Sequence, residues 1–282
     1  MSERKKLARV YVEITNICNK SCSFCIGTHR KMGRMTLEQF DTVTDKLIGI
    51  TDYLYLHLMG EPLSHPEIAE FIRLAVKKGF KVAVTTNGTL LALRGSELID
   101  AGVYKVNISL HSFEGDDKCA KEKYLTECIE FADLASARGV LTVFRLWNSE
   151  YAGGENFDTV AALKQYFKDG EWIFSKRGAR IRDKLHLEWG ERFEWPDITR
   201  TDTRERVFCY GLADHFAVLC DGTVVPCCLD SDGNIPLGNI FEGNVEQILT
   251  SERAEKIRTG FCERRASEEL CRRCGYARRF KV

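Results

Sequence analysis

Cys18-Asn19-Lys20-Ser21-Cys22-Ser23-Phe24-Cys25 follows closely on an apolar, strand-like run, Val10-Tyr11-Val12-Glu13-Ile14. The cysteine spacing is CxxxCxxC. Three thiolates in so short a loop can hold three irons of a four-iron, four-sulfur cluster and leave the fourth iron open to an outside ligand. A structural zinc site asks for four ligands and keeps no open position. The loop is therefore half of a site, and the other half has to come from elsewhere in the chain.

The chain has 282 residues, 44% of them hydrophobic, enough for one large domain or a large and a small one. Lys+Arg and Asp+Glu both number 41, so total charge draws the protein toward neither nucleic acid nor an anionic membrane. The basic start, Met1-Ser2-Glu3-Arg4-Lys5-Lys6, has no apolar stretch behind it and is not a signal peptide. No run reaches the length of a membrane span. A cytoplasmic protein is expected. Twelve cysteines in a reducing compartment read as metal sites rather than disulfides. They fall into the opening loop and a C-terminal group of Cys209, Cys220, Cys227, Cys228, Cys262, Cys271 and Cys274. Cys119 and Cys128 lie between and read as ordinary helix residues.

From Val10 to about Leu187 strand-like and helix-like segments alternate. Strands are expected at Val10–Ile14, Tyr53–Leu58, Lys81–Thr85, Val103–Leu110, Val140–Leu146 and Lys184–Glu188. Helices are expected at Leu37–Ile50 behind Thr36, from Pro66 to Gly79, up to Ala101, over Asp117–Arg138 and over Phe157–Phe167. Alternation implies right-handed crossovers and a parallel sheet. Six units are too few for the closed eight-fold barrel, so the fold class is α/β, a partial (β/α)6 TIM-like barrel. The chemistry of such folds collects at C-terminal strand ends, where CxxxCxxC lies. Glu171–Pro196 is the least regular part. After Arg200 the pattern changes to a hairpin, Phe216–Cys220 and Thr223–Cys227 around Asp221-Gly222, followed by helices from Val245 to Arg258. The expected domains are residues 8–204 and a small Cys-rich domain, hairpin plus helices, at 205–282.

Spacing, place and the aromatic Phe24 before the last cysteine resemble the radical S-adenosylmethionine (radical SAM) superfamily. Met59-Gly60-Glu61-Pro62, after the second strand, resembles the family's Gly-Gly-Glu-Pro turn, with Met59 in place of the first Gly. Taken alone it is only a turn. The resemblance implies that Gly60 and Glu61 meet the amino group of S-adenosylmethionine, with Glu61 also reading as a residue that holds the turn, and the change at Met59 is minor because backbone carbonyl and carboxylate oxygens make the contact. Thr85-Thr86-Asn87-Gly88 resembles the family's Thr-Asn-Gly strand end, with Asn87 lining the cofactor cleft. The resemblance further implies that Ser109 meets the cofactor carboxylate and that Phe24 packs by the adenine, with simple loop burial as the plain alternative for Phe24. Arg145, on the fifth strand, reads as a salt bridge to the same carboxylate or as a structural residue. His111, beside Ser109, reads equally as a substrate-side proton donor or a polar strand-end residue.

Cys209 and Cys227 fit Cys-x12-Gly-x4-Cys around Gly222, and Cys271 with Cys274 forms Cys-x2-Cys. Two thiolate pairs suit a zinc ribbon or a second iron–sulfur cluster. Behind a radical SAM core they resemble the SPASM extension, in the short form called twitch, because no cysteine follows in the eight residues after Cys274. That implies one fully ligated auxiliary 4Fe-4S cluster on Cys209, Cys227, Cys271 and Cys274. Cys220, Cys228 and Cys262 stay unassigned, with structural burial as the plain reading. Cys228, if the strand continues, points away from Cys227.

The resemblance implies an oxygen-sensitive, oxidoreductase-type enzyme. A 4Fe-4S cluster at Cys18, Cys22 and Cys25, its open iron holding S-adenosylmethionine, yields a 5′-deoxyadenosyl radical that takes a hydrogen atom from an unactivated substrate carbon. A flavodoxin or ferredoxin-type donor is implied. Dehydrogenation toward the auxiliary cluster, or epimerisation with Cys228 or Cys262 as hydrogen donor, would follow. The first strand begins near residue 8 with no leading segment for gripping a leader peptide, which favours a small polar metabolite such as a sugar or nucleoside derivative. A ribosomally made peptide, epimerised or thioether cross-linked, is the alternative substrate. The alternative from another class is a non-catalytic zinc-binding interaction protein. The charged runs Lys176–Arg182 and Lys184–Asp197 read as a solvated face before substrate contacts. Arg272, Arg273, Arg278 and Arg279 are weak evidence for RNA, and neither nucleic acid nor membrane is an expected partner.

Overall fold

Alternation along Arg9–Val12 buries Val10 and Val12 on one face and turns Arg9 and Tyr11 to the other. Thr36 caps the first helix as expected. Its hydroxyl accepts from Gln39 N, and the Gln39 side chain accepts from Thr36 N. The computed structural model describes residues 6–113, 117–148 and 156–280. Its elements begin with β1 (Arg9–Val12), α1 (Leu37–Leu47), β2 (Tyr53–Tyr55), α2 (Ile68–Lys77), β3 (Lys81–Thr86), α3 (Leu91–Asp100) and β4 (Lys105–Ser109). Next come α4 (Lys118–Ala137), β5 (Leu141–Leu146), α5 (Phe157–Tyr166), β6 (Ile173–Ser175), β7 (Gly178–Arg182) and β8 (Leu185–Trp189). The last are β9 (His215–Val218), β10 (Thr223–Val225), β11 (Gly238–Asn239), α6 (Val245–Leu249), α7 (Glu252–Cys262) and α8 (Glu269–Arg272). The six strands expected of the parallel sheet are β1, β2, β3, β4, β5 and β8.

The chain forms two compact units. One takes the described residues of Met1–Gly60, Lys77–Phe80 and Phe193–Val282, the other those of Glu61–Val76 and Lys81–Arg192. This division differs from a sequential split at residue 205, and the reason is strand pairing. In the first unit β1 pairs in parallel with β2 on one side, Val10 opposite Leu54, and with β9 on the other, Val10 opposite Phe216. The C-terminal hairpin thus covers an edge of β1 that would otherwise stand open. β10 turns back antiparallel to β9 through Asp221-Gly222, with Gly222 at φ +86°, and β11 pairs with β10.

In the second unit β3, β4, β5 and β8 are parallel. β7 and β6 continue that sheet as an antiparallel hairpin. This hairpin was not legible in the chain: β6 is three residues long and exposed at every position, so it carries no alternation of burial.

A buried carboxylate knots the first unit. Glu13, just past β1, is 0% exposed. Arg30 Nη2 lies 2.7 and 2.8 Å from its two oxygens. Met59 N and Cys220 N each donate to it at 3.2 Å. One side chain therefore joins β1, the exit of the cysteine loop, the turn after β2 and the β9–β10 hairpin. Substituting Arg30 by Leu should destabilise the protein by about 3–5 kcal/mol, because a buried charge loses its counter-ion. The Glu13→Leu/Arg30→Leu double variant should lose much less than the two single losses combined, measured by denaturant unfolding of anaerobically purified protein. Additive losses would show that the pair is not coupled.

Candidate metal and cofactor site

The cysteine loop hangs from a braced base in the first unit. Asn16 Nδ2 donates to Lys31 O at 3.0 Å, and Gly33 N donates to Asn16 Oδ1 at 2.8 Å. The Thr15 hydroxyl donates to Gly33 O at 3.0 Å. Gly60 packs on the same base: at φ +77°, a Cβ there would lie 2.5 Å from Thr15 O. Only glycine allows that approach. Within the loop Cys25 N donates to Cys22 O at 3.0 Å, closing a turn that gathers the last two cysteines. Cys18 and Cys25 are exposed and Cys22 half-buried. Thiols on a surface loop suit a group that must keep one coordination position open to a small molecule. Phe24 is half-buried, and its carbonyl accepts from Trp195 Nε1 at 3.0 Å.

The segment carrying Trp195 also braces the C-terminal cysteines. A Cβ on Gly275 would lie 2.5 Å from Glu194 O. Burial pushes the Cys227 thiol well up, and the charges of Cys228, Cys209, Cys271 and Cys274 add to the rise. Cys271 is raised by burial and by Cys209 and Cys274, and Cys274 is pushed up to about 11. These thiols are thus close enough to repel one another as thiolates, and such a set fits a cationic iron–sulfur or zinc centre. Among the described residues no three Cys, His, Asp or Glu side chains already stand as a metal site.

β10 stops at Val225, so the strand alternation that would turn Cys228 away from Cys227 does not apply. Burial pushes the Cys228 thiol up to about 11, against a hydrogen bond with Tyr11 that lowers it. Tyr11 belongs to a wall of rings absent from the reading of the chain. Tyr55, His57 and His215 lie 5.4, 5.3 and 5.6 Å from it, and the Arg9 guanidinium sits 5.5 Å over Tyr55. Burial, then Arg9, holds His215 down to about 4. Cys262 ends α7 at an exposed position. Cys220 is buried, 3.8 Å from Arg30 Nη1.

The second unit gathers the other candidates at its strand ends. Ser109 pairs with Arg145, and Arg145 with Glu188, so the three share one row across β4, β5 and β8. Arg145 Nε lies 3.4 Å from Glu188, and its guanidinium covers Trp147 at 4.6 Å. His111 Nδ1 lies 3.0 Å from the carbonyl of Arg145, which ties that ring to the end of β5. Glu61 is 1% exposed, and both its oxygens serve this chain. They accept from Thr86 Oγ1 and Asn87 N at 2.7 Å and from Leu63 N at 3.0 Å. Asn87 Oδ1 accepts from Thr89 N and Oγ1, so its side chain shapes the turn. From α4, Tyr124 donates to Asn87 O at 2.8 Å, and Cys128 fills the space where a Gly88 Cβ would lie 2.7 Å from its sulfur.

Two family models match the chain: the radical SAM superfamily over residues 12–159 and an iron-sulfur cluster-binding domain, SPASM, over residues 209–275. A probable GTP 3',8-cyclase of Methanocella arvoryzae is 29% identical, over 87% of this chain and 89% of that one. The GTP 3',8-cyclase of Microcystis aeruginosa is 30% identical over 87% and 88%. The Paracoccus denitrificans enzyme of that name is 33% identical, but over 37% of this chain and only 33% of its own length. Among solved structures, BtrN in complex with AdoMet and 2-DOIA covers 96% of this chain and 93% of its own at a TM-score of 0.62 and 17% identity. Streptococcus suis SuiB bound to S-adenosylmethionine covers 96% and 72% at a TM-score of 0.56 and 15% identity. These structures share the fold, a parallel partial barrel with a Cys-rich C-terminal part.

Burial raises the Glu61 carboxyl to about 7, against three donors that lower it. The folded protein therefore takes up this proton more readily than the unfolded chain. The stabilisation is complete below the ordinary carboxylate range and is lost as pH rises through about 7. In Glu61→Gln an amide NH2 faces a backbone N–H it cannot accept from, at a cost of about 1–3 kcal/mol. Denaturant unfolding should show that cost largest at acidic pH and shrinking toward pH ~8. A cost that does not vary with pH would refute the assignment.

Proposed function

The chain belongs to the radical SAM superfamily, and we propose that it abstracts a hydrogen atom from a small polar metabolite, a sugar or nucleoside derivative, leading to dehydrogenation or epimerisation. The observation that carries the metabolite reading is the likeness, along nearly nine-tenths of both chains, to relatives named for a reaction of GTP. Arg9 with Tyr11, Tyr55, His57 and His215 supports it, offering a cation and stacking rings beside Cys228. SuiB, solved with its precursor peptide, keeps modification of a peptide as the second reading.

The family's cofactors are a 4Fe-4S cluster with S-adenosylmethionine, and the SPASM part implies an auxiliary iron–sulfur cluster. When bound and reduced, they supply a 5′-deoxyadenosyl radical at the loop and a one-electron store near the C-terminus. In our reading Cys18, Cys22 and Cys25 hold the first group, and Cys209, Cys227, Cys271 and Cys274 the second. The Gly60 backbone meets the methionine amino group, Ser109 and Arg145 its carboxylate, and Phe24 the adenine. Glu61 and Asn87 act as positioning residues, because both Glu61 oxygens and Asn87 Oδ1 are spent on the turn itself. Cys228 stands beside Tyr11 as hydrogen donor for an epimerisation. Cys262, at an exposed helix end, and His111, tied to β5, are the weaker catalytic candidates. A flavodoxin or ferredoxin-type protein supplies the electron. Among the described residues no helix is long and apolar enough to cross a membrane, and a cytoplasmic location is part of the proposal. So is the sequential module boundary at residue 205.

Anaerobic reconstitution should bind about eight irons per chain, two four-iron clusters. Dithionite with S-adenosylmethionine should then release 5′-deoxyadenosine. Alanine at Cys18, Cys22 or Cys25 should abolish release. Cys227→Ala/Cys271→Ala should keep release at about four irons. Stoichiometric zinc and no cleavage would favour a binding module instead. Solvent deuterium entering the product, and lost in Cys228→Ala, would select epimerisation; a product lighter by a hydrogen pair would select dehydrogenation.

A further inference from the structure

β6 ends the sheet of the second unit. It pairs with β7 on one side, and among the described residues no strand lies on the other. Ile173 is 53% exposed and Phe174 51%. Trp172 stacks on Phe174 with ring centres 6.0 Å apart and planes at 26°. An open edge with exposed apolar side chains invites another strand.

The local sequence says which strand fits. Glu171-Trp172-Ile173-Phe174-Ser175-Lys176-Arg177 is acidic at one end, apolar in the middle and basic at the other. Paired antiparallel with itself about Phe174, it sets Ile173 against Ser175, Trp172 against Lys176 and Glu171 level with Arg177. The Trp172–Lys176 and Glu171–Arg177 pairs are cation–aromatic and opposite-charge neighbours, and Phe174 meets its own copy as the apolar pair. Paired in parallel and in register, it would set glutamate on glutamate and lysine on lysine. Antiparallel pairing also has the two-fold symmetry that closes a dimer.

A second feature meets the same geometry. A cleft of about 500 Å³ lies beside the start of β6, its lining including Asp169, Gly170 and Glu171. With Asp133 and Asp183 it carries four carboxylates against the guanidiniums of Arg180 and Arg182, so its net charge is negative. Lys176 and Arg177 are exposed and form the two-residue turn between β6 and β7. Antiparallel pairing brings that basic turn of one copy to the acidic cleft of the other.

We propose that β6 and its neighbouring cleft form a self-association surface, where two copies of this chain join edge to edge with Phe174 on the two-fold axis. Sedimentation of the anaerobically purified, cluster-loaded protein should show a concentration-dependent species of twice the 32.1 kDa chain mass. Phe174→Lys places two ammonium groups against each other on the axis and should give a monomer. Lys176→Glu/Arg177→Glu should weaken association by about tenfold or more, and adding Asp169→Lys/Glu171→Lys should restore it. The charge variants lie at exposed positions and carry the test if Phe174→Lys fails to fold. Hydrogen exchange at Ile173–Ser175 should slow as wild-type concentration rises. A monomer at every concentration, or a dimer indifferent to all these substitutions, overturns the proposal.

Discussion

The buried carboxylate of Glu13 is the constraint on which the first unit depends. A charge in that position is costly to desolvate, so it must be met from several sides at once. Arg30 supplies the counter-ion, and backbone N–H groups of Met59 and Cys220 supply the remaining donors. Arg30 also reaches the carbonyl of Ser231 at 2.8 Å. Thr28 bonds Ser231 and Asp232 alongside it. The stretch that leaves the cysteine loop is thereby fixed to the β9–β10 hairpin and to the loop after it. Both groups of candidate metal-binding cysteines consequently belong to one folded unit, although almost two hundred residues of chain separate them.

The second unit uses the same device on a smaller scale. Glu61 gathers Leu63, Thr86 and Asn87, and Tyr124 holds the next turn from beneath. These polar groups fix backbone at the ends of β3 and β4, next to the row of Ser109, Arg145 and Glu188. Positioning carried by buried side chains, with contact left to backbone and strand-end residues, suits a reaction whose hard chemistry belongs to cofactors. The protein's share is orientation and exclusion of water and oxygen.

Much of this was legible in the chain because it rests on local signals. CxxxCxxC, the Gly60-Glu61 turn, Thr86-Asn87-Gly88 and the Asp221-Gly222 hairpin each carry their own geometry. The parallel strands appeared because apolar runs alternated with helical periods. Features that depend on distant partners stayed hidden. Glu13 stood in plain view as a charge within an apolar strand, a signal that it must be paired, but Arg30 could not be singled out among forty-one basic residues. Trp195 lay among charges and read as surface, yet it caps the carbonyl of Phe24. The parallel pairing of β9 with β1 is announced by nothing local.

In the proposed reading the loop of Cys18, Cys22 and Cys25 holds a cluster open to S-adenosylmethionine, and the C-terminal cysteines hold a closed one. Electron paramagnetic resonance of the reduced, reconstituted protein tests both together. Two overlapping cluster signals are predicted, of which adding S-adenosylmethionine changes one. In Cys227→Ala/Cys271→Ala the responsive signal alone should remain. A spectrum in which no cluster signal responds to S-adenosylmethionine would contradict the account.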